Sequence, residues 1–154
     1  MTTRTAAAGT TSTATATWEG GLVNGKGQFN AKSGAFQGSY SFSTRFEGAK
    51  GTNPEELIAA AHASCYAMAF NATLGKNNAK AATTHVTATV TADKGDAGIK
   101  IVSSALVVRV TGLEGTDAAG LVDLAKKAEG GCPVSNALRG NVEITVDAAI
   151  AQSA

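Results

Sequence analysis

Two cysteines are the only thiols in the chain, and each has a distinctive setting. Cys132 lies in Gly130-Gly131-Cys132-Pro133-Val134-Ser135-Asn136. Pro133 suits the first position of a short helix, which puts Cys132 at its N-cap. A thiolate there is stabilised by unpaired N–H groups and the helix dipole. Cys65 lies in Asn53-Pro54-Glu55-Glu56-Leu57-Ile58-Ala59-Ala60-Ala61-His62-Ala63-Ser64-Cys65. It sits on an apolar stripe, where burial raises a thiol's pKa and a cysteine acts as a small hydrophobe. To react, it needs a cation brought to it, and Arg45 is the candidate. Read locally, then, Cys132 is the first choice of nucleophile, or its sulfur simply caps the helix, and Cys65 reads more readily as a core residue than as a catalytic one.

The remaining polar groups near these motifs have ordinary explanations. Glu56 fits a capping box with Asn53, which leaves Glu55 free to pair with Arg45. His62, one turn before Cys65, could serve as a base for the thiol or be a satisfied interior histidine. Ser135 and Asn136 read as first-turn residues, and His85 as a solvent-facing strand residue. The cysteine spacing gives neither a Cys-x-x-Cys pair nor a zinc ligand set.

The elements that must position these groups follow from periodicity and turn chemistry. Residues 1–12 read as a flexible tail and 13–154 as one domain. Thr13–Glu19, Gly25–Asn30 and Gly38–Phe46 read as short strands of a meander, with Arg45 closing the last. Asn53 as N-cap and Pro54 at the first position start a helix whose body is Leu57–Leu74. Its stripe is Leu57, Ala61, Cys65 and Met68, widened by Ile58, Ala69 and Ala72, with Gly75 as its stop. His85–Asp93 alternates, with Val86, Ala88, Val90 and Ala92 inward. Ile99–Thr111 is a long strand bulged near Ser103-Ser104. Asp117–Glu129, capped by Thr116, presents Leu121, Leu124, Ala125 and Ala128 to a core. Val142–Ala149 is a closing strand. This order predicts an α+β fold with a mostly antiparallel sheet. The first helix is apolar on more faces than one small sheet can cover, which predicts a homodimer.

Composition narrows the function classes. A chain of 154 residues with net charge +1 and 5% aromatic residues has no footprint for nucleic acid or anionic lipid. No apolar run is read as reaching the roughly 20 residues that span a bilayer. The Thr/Ala-rich start lacks the apolar stretch of a signal peptide, so a cytoplasmic location is expected. Stable structural disulfides are unusual there.

The segment Gly51–Cys65 resembles the signature helix of the OsmC/Ohr family, the osmotically inducible and organic hydroperoxide resistance proteins. Cys132-Pro133-Val134-Ser135-Asn136-Ala137-Leu138 resembles that family's second cysteine motif, and Thr44-Arg45-Phe46-Glu47 also matches. An arginine shortly before the helix is similar to the OsmC branch. The resemblance implies an intertwined α+β homodimer with a long buried central helix and no bound metal or prosthetic group. It implies a thiol peroxidase acting on organic hydroperoxides and more weakly on hydrogen peroxide. Cys65 would be peroxidatic and Cys132 resolving, the two closing a disulfide. Arg45 would stabilise the thiolate and the peroxide, and Glu55 would orient Arg45. The implied partners are the hydroperoxide, a dithiol reductant such as a lipoylated protein, and a second copy. This reverses the local ranking of the two thiols. The alternatives are a non-catalytic ligand-binding dimer and a redox sensor of the same fold.

Overall fold

The computed structural model describes residues 9–152, so the first eight residues of the expected tail lie outside it. Residues 9–13 are exposed and carry neither helix nor strand. The chain forms two compact units, Met1–Asn53 and Pro54–Ala154.

The first unit is an antiparallel meander of β1 (Ala14–Glu19), β2 (Lys26–Ala31) and β3 (Gln37–Tyr40). Gly27 pairs with Trp18 on one side and Tyr40 on the other. The two rings approach to 5.6 Å over the glycine, and any Cβ there would collide with both. The expected strand Gly38–Phe46 stops at Tyr40 and becomes a short helix, α1 (Phe42–Phe46). Ser41 is the reason. Its hydroxyl accepts from the Thr44 N–H at 3.2 Å, and the Thr44 hydroxyl accepts from the Ser41 N–H at 2.9 Å. This reciprocal cap starts a helix where alternation alone reads as a strand. Arg45 therefore sits on α1 and not at a strand end.

The second unit packs two helices on a three-stranded sheet. Its elements are α2 (Pro54–Lys76), β4 (Thr83–Gly95), β5 (Gly98–Thr111), α3 (Ala118–Gly130), α4 (Pro133–Leu138) and β6 (Glu143–Ile150). β5 is central, antiparallel to β4 and parallel to β6. Of the four strand pairings among the described residues, only this last one is parallel. A parallel neighbour needs a crossover, and α3 and α4 supply it. The register of β5 slips between Ser103 and Ile101, leaving Val102 as the bulge beside the expected position.

α2 buries His62, Tyr66, Phe70 and Leu74, an i, i+4 row against the sheet and α3. This differs from the stripe expected through Cys65 and Met68, because Met68 is 77% exposed. An Ala-rich helix is apolar all round, so the large residues decide which face turns inward. Ala60, Ala61, Ser64 and Ala72 share the exposed side with Met68. α2 also corrects the membrane reading, since it has 23 residues and an 18-residue window of mean hydropathy 1.2. It is long and apolar enough to cross a bilayer by length and composition. Its inward row nonetheless carries a histidine and a tyrosine tied by hydrogen bonds to the sheet, α3 and α4, the marks of a core helix.

Gly75 lies inside the last turn of α2 and does not stop it. Asn78 does, at φ +56°, with Ala79 N–H on Leu74 C=O at 2.9 Å and Asn78 N–H on Gly75 C=O at 3.2 Å. These two bonds make a Schellman motif with asparagine in the left-handed position. At α3 the N-cap is Asp117, whose carboxylate accepts from the Gly120 N–H at 2.8 Å, and not Thr116. Leu121, Ala125 and Ala128 are buried as expected, with Leu124 packed at the edge of the core.

Candidate functional site

The packing of α4 against α2 brings the two cysteines together. Cys132 Sγ lies 3.4 Å from Cys65 Sγ, with the Cys132 thiol donating, and both are free thiols. Cys65 is half-buried on α2, while Cys132 is fully buried. Cys132 is the N-cap of α4, and its sulfur accepts from the Ser135 N–H at 3.5 Å. Two sulfurs this close need little movement to form a bond.

Burial pushes the Cys65 thiol up. The Val134 N–H at the start of α4 opposes this, and the second sulfur at Cys132 adds to it by sharing the space a negative charge would occupy. Within this unit the balance favours the protonated thiol.

One helical turn from the thiols is a second contact between the same helices. His62 is fully buried on α2. Its Nδ1 meets Ser104 Oγ on β5 at 2.6 Å, and its Nε2 meets Ser135 Oγ on α4 at 2.7 Å. A neutral imidazole offers one donor and one acceptor, so one serine accepts and the other donates. Burial lowers the His62 pKa, with the Glu129 carboxylate pulling the other way. His62 is thus a satisfied interior histidine. Ser104 and Ser135, both fully buried, are site residues that sequence reasoning missed. No local signal marks them, because the three residues meet only when α2, β5 and α4 have packed.

α4 is held at its far end too, where Arg139 Nη2 lies 2.8 Å from Glu129 Oε1 of α3. The contact is an ion pair whose angle falls short of a hydrogen bond. Arg45 belongs to the first unit, its guanidinium 5.1 Å above the Phe46 ring. Glu55 is buried in the first turn of α2. Glu56 is exposed there, and His85 is exposed on β4 as expected. Among the described residues no group of three or more His, Cys, Asp or Glu side chains could hold a metal ion.

The arrangement is a buried dithiol, with one sulfur nearer the surface and the other on a helix N-terminus. Two thiols at this range can be joined as a disulfide by a two-electron oxidant.

Comparison with known proteins bears on this. A family model described as OsmC-like protein matches residues 47–147. The chain is 47% identical over 131 residues to "Peroxiredoxin OsmC" of Escherichia coli (strain K12), covering 84% of this chain and 90% of that protein. It is 39% identical over 102 residues to "Organic hydroperoxide resistance protein OhrA" of Bacillus subtilis (strain 168), covering 65% and 69%. Among solved structures, OhrB of Bacillus subtilis superposes with a TM-score of 0.71 at 28% identity, covering 88% of this chain and 97% of that one. An organic hydroperoxide resistance protein from Elizabethkingia anophelis gives 0.73 at 28%, covering 92% and 99%. The chain belongs to the OsmC-like family, and its identities favour the OsmC branch over the Ohr branch.

Proposed function

We propose that the protein is a cysteine-based peroxidase that reduces organic hydroperoxides, and hydrogen peroxide more weakly. The observation that carries this is the 3.4 Å approach of two free thiols, one partly accessible and one buried behind it. The names of its relatives, a peroxiredoxin and organic hydroperoxide resistance proteins, support the same reading.

In this reading the Cys65 thiolate attacks one peroxide oxygen. The O–O bond breaks, the alcohol leaves with a proton, and Cys65 becomes a sulfenic acid. Cys132 then attacks the Cys65 sulfur, water leaves, and the Cys65–Cys132 disulfide forms. A dithiol reductant, such as a lipoylated protein, restores both thiols and takes up the oxidation. Burial and the neighbouring Cys132 sulfur push the Cys65 thiol up, so a cation would favour the first step. Arg45 is assigned that role, stabilising the thiolate and the peroxide, with Glu55 orienting it. Residues 13–154 act as one domain. A second copy covers the exposed side of α2 at Ala61, Ser64, Met68 and Ala72. A reducing cytoplasm suits an enzyme whose resting state is a dithiol.

The test is consumption of cumene hydroperoxide with a dithiol reductant, for wild type, Cys65→Ser and Cys132→Ser. Consumption should vanish in Cys65→Ser, while Cys132→Ser reacts once and then stops. A wild-type protein that consumes no peroxide would refute the proposal. If only Cys132→Ser abolishes the first reaction, the two roles must be exchanged.

The raised pKa of Cys65 favours a second reading, a ligand-binding or redox-sensing dimer with slow thiols. Alkylation of Cys65 by iodoacetamide separates the two. A fast reaction below neutral pH marks an activated thiolate, and one no faster than a free thiol supports the second reading.

A further inference from the structure

Between α2 and α4 there are two side-chain rungs. The first is the thiol pair, at 3.4 Å. The second is His62 Nε2 to Ser135 Oγ, at 2.7 Å. His62 precedes Cys65 by three residues on α2, and Ser135 follows Cys132 by three at the start of α4. Residues three apart lie on one helix face, so the two rungs run side by side. One can open and close with redox state, and the other has no redox chemistry.

Ser135 belongs to both rungs. Its hydroxyl meets the imidazole and its backbone N–H meets Cys132 Sγ. The other end of the imidazole is fixed to Ser104 on β5. All three residues are fully buried, so water does not compete for these bonds. The thiol rung, by contrast, is only a weak S–H contact.

We infer that His62 is a positioning residue: through Ser135 it holds α4 against α2, so that Cys132 faces Cys65 at bonding range whether or not a disulfide joins them. A resolving role for Cys132 rests on the peroxidase reading, whereas the positioning itself does not. The rung matters most in the reduced and sulfenic states, when no covalent link holds α4. A docked Cys132 closes on the Cys65 sulfenic acid directly, with loss of water, before a second peroxide can add oxygen.

The test therefore uses thiol–disulfide exchange, which involves no peroxide. Reduced protein and oxidised dithiothreitol equilibrate to the Cys65–Cys132 disulfide and reduced dithiothreitol, which gives the effective concentration of the thiol pair. Ser135→Ala removes the bond between the imidazole and α4 and keeps the N–H on Cys132. Ser104→Ala removes one hydroxyl from the same imidazole but leaves the α2–α4 rung. His62→Gln is the more drastic variant, and the two serine variants keep the test open if it does not fold. In Ser135→Ala the effective concentration should fall, by up to about tenfold, the factor that one hydrogen bond commands, because reduced protein then spends part of its time with α4 undocked. In Ser104→Ala it should stay near wild type. An unchanged value in Ser135→Ala, or equal losses in both variants, would overturn the inference. A wild type that exchanges normally but ignores peroxides would instead refute the peroxidase reading and leave the rung standing.

Discussion

The Tyr66 phenol donates to the carbonyl of Ala125 at 2.6 Å, tying the middle of α2 to the middle of α3. Both residues are fully buried. Burial, with the buried sulfur at Cys132 and the carboxylate of Glu129 acting in the same direction, drives the phenol pKa far above its ordinary value, so it stays a donor. Tyr66→Phe should lower unfolding stability by about 1 kcal/mol, the net worth of one internal hydrogen bond. Urea denaturation checks this. The midpoint should fall and the slope should not change.

The lowered pKa of His62 makes stability depend on pH in a stated direction. Its folded pKa lies below the ordinary 6.5, so in that window the unfolded chain binds the extra proton. The contribution of this group is complete above 6.5 and declines as pH falls toward the folded pKa. The slope from this one site is at most about 1.4 kcal/mol per pH unit. Thermal melts from about pH 7.5 down to about pH 5 should show the fall in wild type and a shallower one in His62→Gln.

The stop of α2 rests on Asn78 in the left-handed region. Asn78→Ala should cost about 1 kcal/mol, because a Cβ without the asparagine amide disfavours that conformation. Asn78→Gly should be neutral or stabilising. Chemical denaturation of the pair gives the comparison.

Gly115, at φ +84°, faces the backbone of Asn78 and Ala79 of the same stop. A Cβ there would run into the Asn78 carbonyl. Gly115→Ala should therefore cost about 3 kcal/mol or more, combining backbone strain with a clash against backbone. A loss below about 1 kcal/mol in the same assay would show that the turn can shift to make room.

Excess hydroperoxide separates the roles of the thiols. On the proposed roles, a Cys65 sulfenic acid in Cys132→Ser has no partner, so sulfinic and sulfonic forms should accumulate. Mass spectrometry of the Cys65 peptide should show them there, and at far lower level in wild type.

What could be read from the residues depended on range. Cys132-Pro133 signals its cap within two residues, and the structure keeps that cap. Ser41 and Thr44 also carried a local signal, a serine three residues before a second hydroxyl, but alternation of Tyr40, Phe42 and Thr44 masked it. The inward face of α2 was illegible for a different reason. An alanine-rich helix has no polar side to mark the outside, and only contact with β4 and α3 selects the row through Tyr66 and Phe70. The parallel β6 had a readable cue in the helix-bearing connection from Thr111 to Glu143. The rung from Ser104 through His62 to Ser135 had none. Its members lie 42 and 73 residues apart in sequence and meet only when three elements have packed.

The parallel pairing of β5 with β6 has a consequence for the order in which the chain is built. α4, which carries Cys132, sits inside the crossover between those strands. It packs on α2 and α3, and its contact with α2 is non-local in sequence. Cys65 is synthesised 67 residues earlier, on a helix that meets its partner thiol only after α4 has been made. A chain still emerging from the ribosome therefore carries a single cysteine with no mate. The pair comes into being only after Cys132 has been made and α4 has packed on α2.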